Sequence, residues 1–173
     1  MRKWICCLCL LLGVVTAPAQ KLMRSISPRT MAQLFQAKDI SPDAVRQLKK
    51  LYVMSHWKVL YEDLDPSDRS MALYVGKNMR LEMGDLVEEG SPHHGLMIHF
   101  SRTEGMRLSH LKVIFADEPE QQLFVQELLS LDFESDDDSI YRRQFTFPDG
   151  SNVSATVEIG WQNGLYIANV NLE

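Results

Sequence analysis

Apolar and polar residues along this chain recur with two different periods, and the change of period marks its elements. Between Met31 and Tyr52 the apolar positions fall every three or four residues. Met31, Leu34 and Phe35 form a short stripe. Ala44, Val45, Leu48, Leu51 and Tyr52 form a longer one, with Arg46, Gln47, Lys49 and Lys50 on the other side. Each stripe follows a Ser-Pro pair, Ser27-Pro28 and Ser41-Pro42. Serine there can accept from the orphan amides of a helix start, and proline at the first helical position gives up no hydrogen bond. Two N-terminal helices are predicted.

From Trp57 the period becomes two. Trp57/Val59/Tyr61, Met71/Leu73/Val75, Met79/Leu81/Met83, Leu96/Ile98/Phe100 and Leu111/Val113/Phe115 read as five strands. Gly76-Lys77-Asn78 is a short turn, and residues 65–68 and 88–94 read as polar loops. Asp117-Glu118-Pro119-Glu120 then starts a third helix, because an acidic cap, an early proline and a glutamate three residues on all suit a helix N-terminus. Its buried stripe should be Phe124, Val125, Leu128, Leu129 and Leu131, laid across one face of the sheet.

The C-terminal segment specifies a register. Asn163-Gly164 favours a two-residue hairpin turn, which sets Trp161 opposite Tyr166, Val157 opposite Val170, Ala155 opposite Leu172 and Thr156 opposite Asn171. Phe147-Pro148-Asp149-Gly150 predicts a second turn that sets Phe145 beside Val153 and Tyr141 beside Val157. The expected fold is therefore α+β: a curved, mainly antiparallel sheet of about 7–8 strands, two N-terminal helices, and one helix packed on a sheet face before a C-terminal three-stranded meander. Short loops rather than helical crossovers join the strands, which is the antiparallel signature.

The first twenty residues change the picture of where the protein works. Arg2 and Lys3 precede an apolar run from Trp4 to Val15, and Ala17-Pro18-Ala19 supplies a small-x-small cleavage signal. We expect residues 1–19 to be a cleaved signal peptide and residues 20–173 to be a single domain. The run is too short to span a bilayer, so no membrane span is expected after cleavage, and the destination is periplasmic or secreted. Cys6, Cys7 and Cys9 all lie in that segment. The remainder then has no thiol for a disulfide, a nucleophile or a cysteine-based zinc site.

The content of 45% hydrophobic and 24% charged residues is that of an ordinary globular chain, which sets aside collagen-like and disordered classes. The net charge of −5 becomes more negative once Arg2 and Lys3 are removed. With no basic run longer than a pair, nucleic-acid binding is not expected.

Candidate chemistry is sparse. A hairpin turning at Glu104-Gly105 makes His99 and His110 direct neighbours on the face opposite Leu96 and Ile98, where two imidazoles could share a metal ion or titrate as a pair. The same register sets Arg102 against Arg107, and two solvent-facing histidines are the plainer reading. The acidic run from Glu134 to Ser139 offers oxygen ligands of the kind calcium takes, but an EF-hand loop from Asp132 would need glycine at Asp137 and glutamate at Arg143. It reads as a solvated loop. Met71, Met79 and Met83 read as core filler or pocket lining rather than copper ligands. No serine-hydrolase, zinc-protease or phosphate-loop motif occurs, and no catalytic residue or cofactor is assigned.

Three readings follow. The first is a noncatalytic binding module of the bacterial cell envelope that contacts an envelope protein partner, with exposed strand edges as contact sites. The second is a carrier of an apolar small molecule held between sheet and helix, with Trp57, Tyr61, Tyr74, Phe124 and Trp161 as ligand-binding residues. The third is a hydrolase using carboxylates such as Asp63/Asp65 or Glu88/Glu89.

Overall fold

The computed structural model describes residues 26–37, 39–65, 69–102, 106–146 and 150–172. The expected signal segment, the expected turn at Glu104-Gly105 and residues 147–149 of the expected Phe147–Gly150 turn lie outside these. Among the described residues are three helices, α1 (Pro28–Gln36), α2 (Pro42–Met54) and α3 (Glu118–Ser130). Ten strands accompany them: β1 (Lys58–Asp63), β2 (Ser70–Lys77), β3 (Met79–Glu82), β4 (Asp85–Glu88), β5 (His94–Arg102), β6 (Met106–Phe115), β7 (Glu134–Asp137), β8 (Ile140–Thr146), β9 (Asn152–Gln162) and β10 (Leu165–Leu172). The fold is α+β, with eight strands in one open antiparallel sheet of order β1-β2-β5-β6-β10-β9-β8-β7. β3 and β4 pair only with each other.

Caps fix the helix starts where the Ser-Pro pairs predict them. Ser27 Oγ accepts from the Thr30 amide and Ser41 Oγ from the Ala44 amide, each at 3.2 Å. Such a cap contributes about 1 kcal/mol. At α3, Asp117 Oδ1 accepts from the Glu120 amide, and Glu120 Oε2 reaches back to accept from the Ala116 amide, both at 2.9 Å. Leu129 departs from the expected stripe: it is exposed, whereas Phe124, Val125 and Leu128 are buried. It lies on the solvent side of α3, whose inner face is already filled.

All three helices cover one face of the sheet. Their apolar stripes meet Leu73, Val75, Leu96, Ile98, Leu111, Val113, Val157 and Val170 in the main core. Each such fully buried side chain contributes about 1.5–3 kcal/mol through removal from water. Among the described residues no helix is long and apolar enough to cross a membrane.

The second face is covered in part by the β3–β4 hairpin, and here the sequence reading needs correction. The period-two run Met79/Leu81/Met83 does not make one strand. Met83 (φ 50°) and Gly84 (φ 87°) form a turn that folds the chain back, so Met83 is fully exposed rather than core filler. The hairpin can lie close because Gly76 and Gly95 face each other across β2 and β5. A Cβ at Gly95 would stand 2.8 Å from Leu86 Cδ1, and one at Gly76 would stand 2.7 Å from Met79 Cβ. Met79, Leu86, Met97, Ile114, Leu165 and Ile167 form a small second core in this hollow.

The acidic run also differs from the expected solvated loop. Glu134–Asp137 is an edge strand paired with β8 through its backbone, not a loop. Its four residues are all exposed. The C-terminal meander follows the expected register, with Trp161 against Tyr166, Val157 against Val170, Thr156 against Asn171 and Phe145 against Val153.

Candidate functional site

Strands β1, β2, β5, β6 and β10 carry a strip of polar and aromatic side chains across the face away from the helices. Register alone places them. Tyr61 pairs with Tyr74 across β1 and β2, His99 pairs with His110 across β5 and β6, and His110 pairs with Asn171 across β6 and β10. Tyr74 pairs with Met97, so His99 is its diagonal neighbour on the same face.

The side chains are in contact along the strip. The Tyr61 and Tyr74 rings are 5.0 Å apart, and the Tyr74 hydroxyl lies 2.9 Å from His99 Nε2. The His99 and His110 ring centres are 5.7 Å apart, and His110 Nδ1 is 2.8 Å from Asn171 Oδ1. A depression of about 320 Å³ opens at one end, lined by Tyr61, Asp63, Ser70, Tyr74, Leu81 and His99.

The arginine clash expected beside the histidines does not occur. Beyond the His99–His110 pair the register shifts, Phe100 pairs with Leu108, and Ser109 is the extra residue of a bulge. Arg107 then faces Ser101, and Arg102 faces Met106. The Ser109 hydroxyl donates to the His99 carbonyl at 3.2 Å and holds the bulge.

Electrostatics differ along the strip. Partial burial and the neighbouring His110 push His99 below the ordinary histidine value. Burial, then the nearby Tyr61 and Asp85, push the Tyr74 phenol up. Lys112, two residues past His110, donates to Asp85 Oδ1 at 2.8 Å and Oδ2 at 3.1 Å, which ties the hairpin to the sheet. Burial pushes the Asp85 carboxyl up, but the Lys112 and Leu86 hydrogen bonds and the Lys112 charge outweigh it and leave Asp85 below the usual carboxylate range.

The five aromatic residues expected to line a carrier pocket divide between the two sides of the sheet. Tyr61 and Tyr74 belong to the strip. Trp57 is buried against Tyr52 and His94, and Phe124 against Phe115, with ring centres 5.0, 5.8 and 5.1 Å apart respectively. Trp161 is 61% exposed and packs its ring edge on Tyr166. His99 and His110 are brought together as the register predicts. No local sequence signal points to Asn171 or to the Asp85–Lys112 pair, since their partners come from remote strands.

The carboxylates are tied to separate partners. Asp63 Oδ1 accepts from the Asp65 amide at 3.3 Å, Glu88 lies 3.3 Å from His93 Nδ1, and Glu89 lies 3.7 Å from Lys58 Nζ. On the helix side, Glu120 Oε2 is 3.1 Å from His94 Nε2. In the acidic run, Asp137 Oδ1 accepts from the Ser139 hydroxyl, the Ser139 amide and the Ile140 amide, so this carboxylate shapes a turn. Those bonds, the Ser139 hydroxyl first, hold it below the usual carboxylate range. Among the described residues no group of three or more His, Cys, Asp or Glu side chains is gathered to hold a metal ion.

Comparison with known proteins returns no family model, no curated protein and no solved structure that matches this chain.

Proposed function

We propose that this chain is an exported, noncatalytic binding module of a bacterial envelope, and that it takes its ligand in the depression beside Tyr61, Tyr74 and His99. The observation that carries this reading is the mixture of groups there. Two tilted phenol rings offer apolar faces, while Asp63, Ser70, His99 and the tyrosine hydroxyls offer hydrogen bonds around about 320 Å³. That lining suits a small ligand with both an apolar face and several hydroxyl or amide groups, as a sugar ring has. Export is supported by the charged, apolar and small-residue order of the first nineteen residues.

A carrier pocket between sheet and α3 has less support, because Phe124, Val125 and Leu128 are themselves buried there against the sheet. The test is two-dimensional NMR of the protein with a panel of mono- and oligosaccharides. Shifts confined to β1, β2 and β5, and lost in Tyr74→Ala, are the expected result. Shifts centred on α3, or none across the panel, would overturn the assignment of the site.

A further inference from the structure

A second site shares His99 with the depression and extends along the same strip to His110. We infer that His99 and His110 together bind a divalent transition metal ion, Cu(II) by preference, with the remaining coordination positions open to water or to a small ligand. The inference goes beyond the ligand proposed above and does not depend on it.

The geometry carries the argument. Metal–nitrogen bonds to histidine are about 2.0–2.1 Å, which puts each ring centre about 3.2 Å from a shared ion and two such centres about 5–6 Å apart. The observed 5.7 Å falls in that interval without any movement of β5 or β6. Both residues sit on paired strands, so the second histidine is held at high effective concentration once the first has bound.

Their neighbours also fix the available lone pairs. Asn171 Oδ1 can only accept, so His110 Nδ1 carries the proton and the neutral ring presents its lone pair at Nε2. On His99, Nε2 is engaged by the Tyr74 hydroxyl, which leaves Nδ1 for the ion when Nε2 donates. Metal-binding histidines are oriented in this way, by a hydrogen bond at the ring nitrogen that does not ligate.

The surrounding charge permits a cation. Two cations flank the pair: Lys112, two residues along β6, whose ammonium is already bonded to both oxygens of Asp85, and Arg107, which faces Ser101 two residues from His99. Asp63 shares a cross-strand row with His99, separated from it by Ala72, and all three line the depression. Two neutral imidazoles with open positions favour Cu(II) over Zn(II), following the order of divalent affinities.

The test is a Cu(II) titration of the protein purified from its host and stripped with chelator, read by calorimetry and by electron paramagnetic resonance. One equivalent bound through two imidazole nitrogens is expected. His99→Ala and His110→Ala should each lose at least tenfold in affinity, and Asn171→Ala about tenfold. Substoichiometric Cu(II) should broaden the His99 and His110 ring resonances first in the unaltered protein, a readout that needs no variant to fold. Broadening centred on another histidine, or unchanged affinity in either histidine variant, would overturn the site. Saccharide binding in the absence of metal is a separate measurement, so failure of one leaves the other standing.

Discussion

At the scale of single residues, Asp85 shows how a half-exposed charge can hold an element in place. Its partner Lys112 has a side chain only 11% exposed, so removing the carboxylate strands an ammonium in a mostly dry site. Asp85→Asn should therefore destabilise the protein by about 1–2 kcal/mol, at the low end because water still reaches position 85. The sign with pH follows from the lowered carboxyl. The folded state holds Asp85 ionised more firmly than the unfolded chain, so this stability is fully present above the ordinary value near 4 and is lost as pH falls through the folded one. Urea midpoints of the wild type and Asp85→Asn should converge as pH drops from about 5 towards about 3. A gap that stays constant over that interval would show that the Lys112 contact is not the cause.

At the scale of elements, the closeness of the β3–β4 hairpin to the sheet rests on the hollow at Gly76 and Gly95. Gly95→Ala puts a methyl 2.8 Å from Leu86 and 3.0 Å from Ile114, both side chains of the small core. Overpacking of this kind costs about 1–3 kcal/mol, and hydrogen exchange should rise in β3 and β4 before the main sheet responds. Unchanged exchange in the hairpin would mean that it rides freely over the sheet.

The hairpin also shows what pattern reading misses. Met79/Leu81/Met83 alternates as a strand should, and the turn that breaks it uses methionine at a positive φ where asparagine or aspartate would have signalled it. β7 has no apolar residue to reveal it and exists through backbone pairing with β8. By contrast, β9 and β10 were legible to the residue because Asn163-Gly164 and two alternating runs lie in one continuous segment. The candidate site follows the same rule. His99 and His110 share a hairpin and could be paired from the sequence, whereas Tyr74 and Asn171 arrive from β2 and β10 by pairings that no local signal specifies.

At the scale of the whole molecule, the chain builds its sheet in two halves that meet at β6 and β10, with α3 carrying it from the middle out to the far margin. The sheet stays open, and its two margins are unlike. β1 presents half-exposed Val59 and Tyr61, while β7 presents Glu134, Ser135, Asp136 and Asp137, all exposed. Growth of a fibre by strand addition requires each new copy to offer a receptive margin to the next. Among the described residues only β1 offers such a margin, and a second copy that uses β1 has nothing left but its acidic side. The carboxylates of β7 thus act as a chain terminator. Light scattering over a concentration series should find no species larger than a two-fold pair. Replacing Glu134 with glutamine, which leaves the Asp136–Arg142 pair and the Asp137 turn in place, should raise that ceiling.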